Sequence, residues 1–122
     1  METSLVLKEK IYDYLSNLRQ NLQDEIETLK KEDLRDEMNL TKIKLNVVNI
    51  YYDMVKISYN DDIEKFNVKY LSFFEKIPKS WYANKEKAEK FGDKETIIIE
   101  DLKLSTMESI KTEFISLYEK LT

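Results

Sequence analysis

A single glycine, Gly92, and a single proline, Pro78, interrupt a chain of 122 residues. These two residue types provide most of the turns in β-sandwiches and in Rossmann-type folds, which need many turns. The length is that of one domain with one hydrophobic core. We therefore predict an all-α fold. It is a single-domain antiparallel helical bundle of residues 1–122, with about four main helices and one short helix at about residues 80–91.

Apolar side chains recur at steps of three and four residues in the first half of the chain, which is the spacing of one face of an α-helix. Between residues 4 and 31 they are Ile11, Leu15, Leu18, Leu22, Ile26 and Leu29. Between residues 39 and 59 they are Leu40, Ile43, Val47, Ile50, Met54 and Ile57. The period favours a helix over a strand in both segments, although β-branched residues are frequent in the second. Val48, Tyr51 and Val55 widen the second apolar face, which indicates a central helix or one paired with a second chain.

Residues 30–37 join these two helices and carry seven charges in eight residues. They contain neither glycine nor proline, and the heptad phase of the apolar residues continues across them. One continuous helix from about residue 5 to 58 is therefore an alternative, and it would be roughly 80 Å long at 1.5 Å per residue. We favour a turn, because a monomer has little to pack against such a rod.

A third helix is predicted to follow Asn60, which can adopt the left-handed conformation that closes a helix. Asp61 and Glu64 have the spacing of a reciprocal N-terminal cap. The apolar face of this helix consists of Ile63, Phe66, Tyr70, Phe73 and Ile77. Pro78 should end the helix, because proline disfavours helical geometry at the residue before it.

The remaining boundaries lie near Ser80, Gly92 and Asp93. Ser80 is expected to cap the short helix, Gly92 to close it and Asp93 to cap the last helix. The apolar side chains of that last helix are Ile99, Leu102, Met107, Ile110, Phe114, Leu117 and Leu121. Its start is β-branched, and Ser105 could cap a helix that begins later, so residues 96–104 could be extended. We favour a helix there because no partner strand is evident.

The chain contains neither histidine nor cysteine. Without histidine it lacks the commonest general base, the catalytic triads, and the histidine-containing zinc and di-iron sites. Without cysteine it has no disulfides and no thiolate chemistry. Paired acids such as Asp33 with Asp36, or Asp61 with Asp62, lie at predicted helix starts, where the helix dipole stabilises them. We predict no catalytic residue, no metal site and no cofactor, and therefore no enzymatic activity.

The net charge of −4 and the presence of only two arginines, Arg19 and Arg35, argue against nucleic-acid binding. The acidic residues 20–37 are expected to form a solvated face. The N-terminus lacks the pattern of a signal peptide, and no apolar run approaches 18 residues, so we expect a cytoplasmic protein without membrane contact. A composition rich in Lys, Ile, Asn and Tyr suggests an AT-rich bacterial or phage genome.

The most distinctive segment surrounds the only tryptophan, Trp81. Residues 76–94 hold six lysines against three acids, a local excess of +3 in an acidic chain. An aromatic pair beside a basic strip can hold an acidic partner, and Tyr and Trp are common at protein contacts. We predict a partner-binding surface that joins this segment to the tyrosine-bearing flank of residues 39–59. Its candidate residues are Lys79, Trp81, Tyr82, Lys85, Tyr51 and Tyr52.

The predicted function is non-enzymatic binding of another protein, as a small inhibitor, an immunity-type protein, an adaptor or a regulator. The alternative is a homo-oligomeric assembly subunit, for example a homodimer, in which the Val48, Tyr51 and Val55 flank forms the self-contact. A third interpretation is a nucleic-acid-binding accessory protein with residues 80–91 as the recognition helix of a helix-turn-helix. The structural interpretation of the tryptophan segment is that Trp81 and Phe91 close one end of the bundle while the lysines face water.

Overall fold

The computed structural model describes residues 2–122, which contain five α-helices and no β-strand. The helices are α1 (Glu2–Lys31), α2 (Arg35–Ser58), α3 (Ile63–Lys76), α4 (Lys79–Phe91) and α5 (Lys94–Leu121). The all-α prediction is confirmed. So are the turn between the first two helices and the helical state of residues 96–104. Across residues 2–122, no helix combines the length and the apolar character needed to cross a bilayer.

α3 and α4 are nearly continuous, so the five helices form four rods. Only Ile77 and Pro78 separate them, and both residues have right-handed helical φ and ψ angles. The amide of Tyr82 already donates to the carbonyl oxygen of Pro78 at 3.0 Å, so helical hydrogen bonding resumes at once. Proline cannot donate a backbone hydrogen bond, which explains why the rod is interrupted at this point.

Rods that follow one another along the chain run in opposite directions. Tyr12 of α1 contacts Tyr52 of α2, whereas the earlier Lys8 lies over the ring of the later Tyr59, so α1 and α2 are antiparallel. α3 is antiparallel to α2 by the same criterion. Its first turn places Phe66 against Tyr59, and its last turn stacks Phe74 on Tyr51. This arrangement confirms the predicted antiparallel bundle.

Aromatic side chains of α2, α3 and α5 form the centre of the core. The rings of Tyr70 and Phe114 have centroids 4.5 Å apart, and Phe66 meets Phe114 edge-on at 5.8 Å. The hydroxyl of Tyr70 donates to the carbonyl oxygen of Tyr51 at 2.9 Å, which satisfies a polar group inside the core. Burial raises the pKa of both Tyr70 and Tyr51 well above the ordinary tyrosine value, so both remain neutral hydrogen-bond donors.

The buried face of α2 is displaced from the predicted one. Leu40, Ile43, Ile50 and Met54 are only partly buried, and Ile57 is exposed. The buried residues of α2 are instead Thr41, Val47, Val48, Tyr51, Val55 and Ser58. The flank of the predicted face, Val48, Tyr51 and Val55, therefore forms the part of α2 that lies in the core. A threonine fits this face because its hydroxyl donates to the carbonyl of Glu37, one turn earlier in the same helix, at 3.0 Å.

The other differences between the predicted and the observed helices lie at the helix ends. Asp33 adopts a positive φ of 57° and closes α1, and the amide of Leu34 then donates to the carbonyl of Leu29 at 3.0 Å. The prediction of a left-handed Asn60 is wrong. The side chain of Asn60 accepts a hydrogen bond from the amide of Asp62 at 2.8 Å. Asp62, rather than Asp61, caps α3, because its carboxylate accepts from the amides of residues 64 and 65.

The start of α4 differs from the prediction, whereas its end agrees with it. The helix begins at Lys79 after Pro78, which carries no side-chain cap, so the prediction that Ser80 caps it is wrong. Gly92 closes the helix with φ of 67°, as predicted. Asp93 caps α5, also as predicted, because its carboxylate accepts from the amide of Thr96 at 3.1 Å.

Candidate functional site

The six predicted binding residues do not share one surface. Tyr51 is fully buried, its ring stacks on Phe74, and its hydroxyl donates to the carbonyl of Phe73 at 3.2 Å. Tyr51 is therefore inaccessible to a partner, because it lies on the face of α2 that packs into the core. Tyr52 lies on the side of α2 that faces α1. The other four residues belong to α4, and among the helices of residues 2–122 the extensive contacts of α4 are with α5.

Tyr52 takes part in an aromatic contact between α1 and α2. Its ring centroid is 4.8 Å from that of Tyr12, and the guanidinium carbon of Arg19 lies 3.9 Å from the Tyr52 ring. Burial, followed by the nearby Tyr52 and Asp53, raises the pKa of Tyr12. This cation–π arrangement holds the two helices together and leaves Tyr52 only partly accessible.

Two of the predicted residues on α4 anchor the helix to α5. Trp81 is buried, and the ammonium of Lys103 lies 5.9 Å from its ring centroid. The ammonium of Lys85 lies 2.7 Å from a carboxylate oxygen of Asp101, and this hydrogen bond raises the pKa of Lys85. Ala88 completes the buried face at helical spacing. Trp81 and Lys85 are therefore structural contacts within the chain.

The other two predicted residues on α4 face solvent. Lys79 is exposed, and Tyr82 retains 53% of its accessible surface. Lys87 and Lys90 lie on the same outer side of the helix as Lys79. Lys87 follows Lys79 by eight residues, and Lys90 follows Lys87 by three. Within residues 2–122, neither Lys79 nor Lys87 has a carboxylate oxygen within 4.0 Å, whereas Lys90 is 4.0 Å from Glu86. We call Lys79, Tyr82, Lys87 and Lys90 the α4 face.

Phe91 does not close the end of the bundle, because 77% of its surface is exposed. It is the last residue of α4, and the following Gly92 turns the chain back into α5. This turn carries the ring of Phe91 beyond the contact between the two helices. Trp81 does fill the interface, so half of the structural interpretation of this segment agrees with the structure.

A buried carboxylate lies beside the α4–α5 contact. Glu100 is almost fully buried, and one of its oxygens accepts from the ammonium of Lys103 at 3.1 Å. Its second oxygen has no hydrogen-bond partner among residues 2–122. Metal ions are usually bound by several protein ligands, and no group of three or more Asp, Glu, His or Cys side chains suited to a metal occurs in the described chain. Glu100 is thus an isolated acid paired with a lysine.

A second surface, missed at the sequence level, lies between α2 and α5. Two adjoining concavities share Leu40 and Ile98, and 57% of the surface of Ile98 is exposed. The apolar side chains that line them are Leu40, Ile43, Ile98, Ile99 and Leu102. The acids around them are Asp36, Glu37, Glu95 and Asp101, and these outnumber the basic Lys44. We call this region the α2–α5 groove.

The groove was missed because Leu40, Ile43, Ile99 and Leu102 have helical spacing and were assigned to the core, while Ile98 was not singled out. A usable signal was nevertheless present in the sequence. The stripe that contains Leu40 and Ile43 lies beside the flank Val48, Tyr51 and Val55, and α2 cannot bury both stripes unless it is covered on two sides.

Comparisons of this chain with protein-family models, with curated proteins and with solved structures find no match.

Proposed function

We propose that this protein is a non-enzymatic protein-binding module, of the inhibitor, immunity, adaptor or regulator type, and that its α4 face binds an acidic surface on another protein. The observation that carries the proposal is that α4 is attached to α5 by one side and exposed on the other. Trp81 and Lys85 attach the helix to α5, while Lys79, Tyr82 and Lys87 point away from it.

The attachment of α4 to α5 favours binding of a partner protein for two physical reasons. A helix held in place by a buried tryptophan loses little conformational freedom on association, and an exposed tyrosine offers a large contact area with few rotatable bonds. The lysines carry local positive charge in a chain of net charge −4, so they can steer an acidic partner to this side of the molecule.

The test is an affinity purification from the native cell that compares variants of the α4 face. We expect Tyr82→Ala and the double variant Lys79→Glu/Lys87→Glu each to reduce the yield of a specific partner by about tenfold, equal to about 1.4 kcal/mol. The matched control is Lys10→Glu/Lys120→Glu, which changes two exposed lysines of α1 and α5 and alters net charge equally. Equal loss in the control would show that net charge alone attracts the partner. Trp81→Ala is a poor test because Trp81 is buried.

The two alternatives receive less support from the structure. The flank predicted as a self-contact, formed by Val48, Tyr51 and Val55, is buried inside the chain. A helix-turn-helix uses a connecting turn of three or four residues, whereas Ile77 and Pro78 continue the rod with helical backbone angles. Light scattering and a gel shift at low salt test these alternatives directly.

We further propose a cytoplasmic protein of bacterial or phage origin. The composition, rich in Lys, Ile, Asn and Tyr, supports that origin.

A further inference from the structure

We propose that the α2–α5 groove is a second docking site, separate from the α4 face, and that it binds an amphipathic helix of another protein that carries lysine or arginine beside its apolar stripe.

The shape and lining of the groove suit a helix. Leu40 and Ile43 are one turn apart on α2, and Ile98 and Leu102 are one turn apart on α5. Two ridges spaced in this way accept the side chains that a docked helix presents at steps of three and four residues. The aliphatic side chains are only partly covered, and Ile98 exposes more than half of its surface, so a docked helix would remove apolar area from water.

The charges around the groove select a basic occupant. Asp101 is already paired with Lys85 of α4. Asp36, Glu37 and Glu95 have no lysine or arginine nitrogen within 4.0 Å in the described residues. The positive N-terminal ends of α2 and α5 partly compensate these acids, but helix dipoles do not explain why apolar side chains stay exposed between them. Lysines or arginines along a docked helix would meet the unpaired carboxylates, whereas acids would be repelled.

A second copy of this chain is a poorer occupant. The α4 face carries positive charge, but the residues between its lysines are Ala83 and the acidic Glu86. Such a helix face has no row of large apolar side chains to fill the space over Leu40, Ile43 and Ile98. The outer side of α3 offers the single aliphatic Val68 among Lys65 and Lys69. A partner helix with an aliphatic stripe fits the groove better than either.

The test measures fluorescence anisotropy with a labelled synthetic helix of leucine and lysine, roughly 18 residues or five turns long. A leucine–glutamate helix of the same pattern is the charge control. We expect the leucine–lysine helix to bind and its affinity to fall about tenfold in Ile98→Ser. The matched variant is Val68→Ser, because Val68 is an aliphatic side chain of comparable exposure, 68%, that lies outside the groove. It should bind like the wild type. Equal affinities for wild type and Ile98→Ser, or equal losses in both variants, would overturn the proposal.

A second pair of variants tests the role of the acids around the groove. Asp36→Asn/Glu95→Gln should weaken binding of the leucine–lysine helix more than Glu9→Gln/Glu119→Gln, which removes two exposed acids elsewhere. Equal weakening would mean that only net charge attracts the peptide, and this result would overturn the proposal. So would binding of the leucine–glutamate helix as tightly as the leucine–lysine helix.

Two further measurements separate this proposal from the others. Tyr82→Ala, which should disrupt the α4 face, is expected to leave peptide binding unchanged, so the two binding sites can fail independently. Light scattering should show a monomer for both wild type and Ile98→Ser. A wild-type dimer that Ile98→Ser converts to a monomer would identify a second copy as the occupant and would overturn the proposed partner.

Discussion

α3 and α4 belong to the same rod and have nearly equal lengths of 14 and 13 residues, yet they bury very different surfaces. α3 packs against α1, α2 and α5, and its buried residues are Phe66, Tyr70 and Phe74. α4 packs mainly against α5 and buries Trp81 and Ala88. Burial of a large apolar side chain contributes roughly 1.5–3 kcal/mol, so the half of the bundle around α3 should supply most of the stability.

The half of the bundle around α4 provides the accessible surfaces instead. Along residues 35–46 of α2, which lie at the same end of the bundle as α4, Thr41 is the buried side chain. Leu40 and Ile43 of that stretch line the α2–α5 groove, and the lysines of the α4 face are exposed to solvent. One end of the bundle is therefore closely packed, whereas the other leaves aliphatic and lysine side chains accessible.

The largest expected effect is that of Phe114→Ala, at the centre of the packed half. The Phe114 ring contacts Tyr70 and Phe66 at centroid distances of 4.5 Å and 5.8 Å. Its removal should lower the free energy of unfolding by about 3–5 kcal/mol, because it leaves a cavity in the core where α5 packs on α3. Urea denaturation followed by circular dichroism measures this loss. A change below about 1 kcal/mol would contradict the assignment of stability to this half.

Trp81→Ala should have a smaller and more local effect. Trp81 joins α4 mainly to α5, so its loss should release α4 while the aromatic cluster around Tyr70 stays packed. We expect faster amide hydrogen exchange in residues 79–91, with protection retained in residues 63–76. Uniform loss of protection in both helices would show that the two halves unfold together and would remove the distinction between them.

Tyr70→Phe tests the polar contact inside the packed half. The variant keeps the ring but removes the hydroxyl that donates to the carbonyl of Tyr51 at 2.9 Å. The loss should be about 1 kcal/mol, the usual net value of one hydrogen bond. Tyr82→Phe is the matched control, because Tyr82 is half exposed and lies on α4. Equal effects of the two variants in urea denaturation would mean that the buried bond contributes nothing.

Asp93→Ala should have the smallest effect, at the start of α5. Hydrogen bonds from the hydroxyl and amide of Thr96 hold the pKa of Asp93 below its ordinary value of 3.8. A carboxylate whose pKa is lowered by folding stabilises the fold above its unfolded-state pKa and loses this effect as pH falls through the folded-state value. The gap in melting temperature between wild type and Asp93→Ala should therefore be complete at neutral pH and should narrow below pH 3.8. A gap independent of pH would exclude a role for the charge.

Helix existence was well predicted from the sequence, because three- and four-residue spacing is a property of each helix alone. The residues that end or cap the helices were predicted correctly at some positions and incorrectly at others. Gly92 and Asp93 were predicted correctly, since glycine tolerates a positive φ and aspartate accepts from amides two or three residues later. Asn60 and Asp61 were predicted incorrectly, because three adjacent Asx residues offer overlapping caps and local sequence does not select among them.

The candidate site was predicted only in part. The segment around Trp81 was recognised from composition, but Trp81 and Lys85 turn inward while Lys79 and Tyr82 turn outward. Helical phase already separates these two sides of α4. Which side would meet α5 depends on how the rod bends at Pro78, and that is a matter of tertiary contact.

The amino-acid sequence by itself determined the helical state of nearly the whole chain and excluded chemistry that needs histidine or cysteine. Only the tertiary structure decided which of two neighbouring stripes on α2 became the core and that Asp33 would close α1. It also decided that Leu40 and Ile98 would line an open groove. The reason is physical. Periodicity depends on the geometry of one helix, whereas burial depends on which neighbours reach each face. At the α4 end of the bundle, the neighbours leave these faces of α2 and α5 partly uncovered.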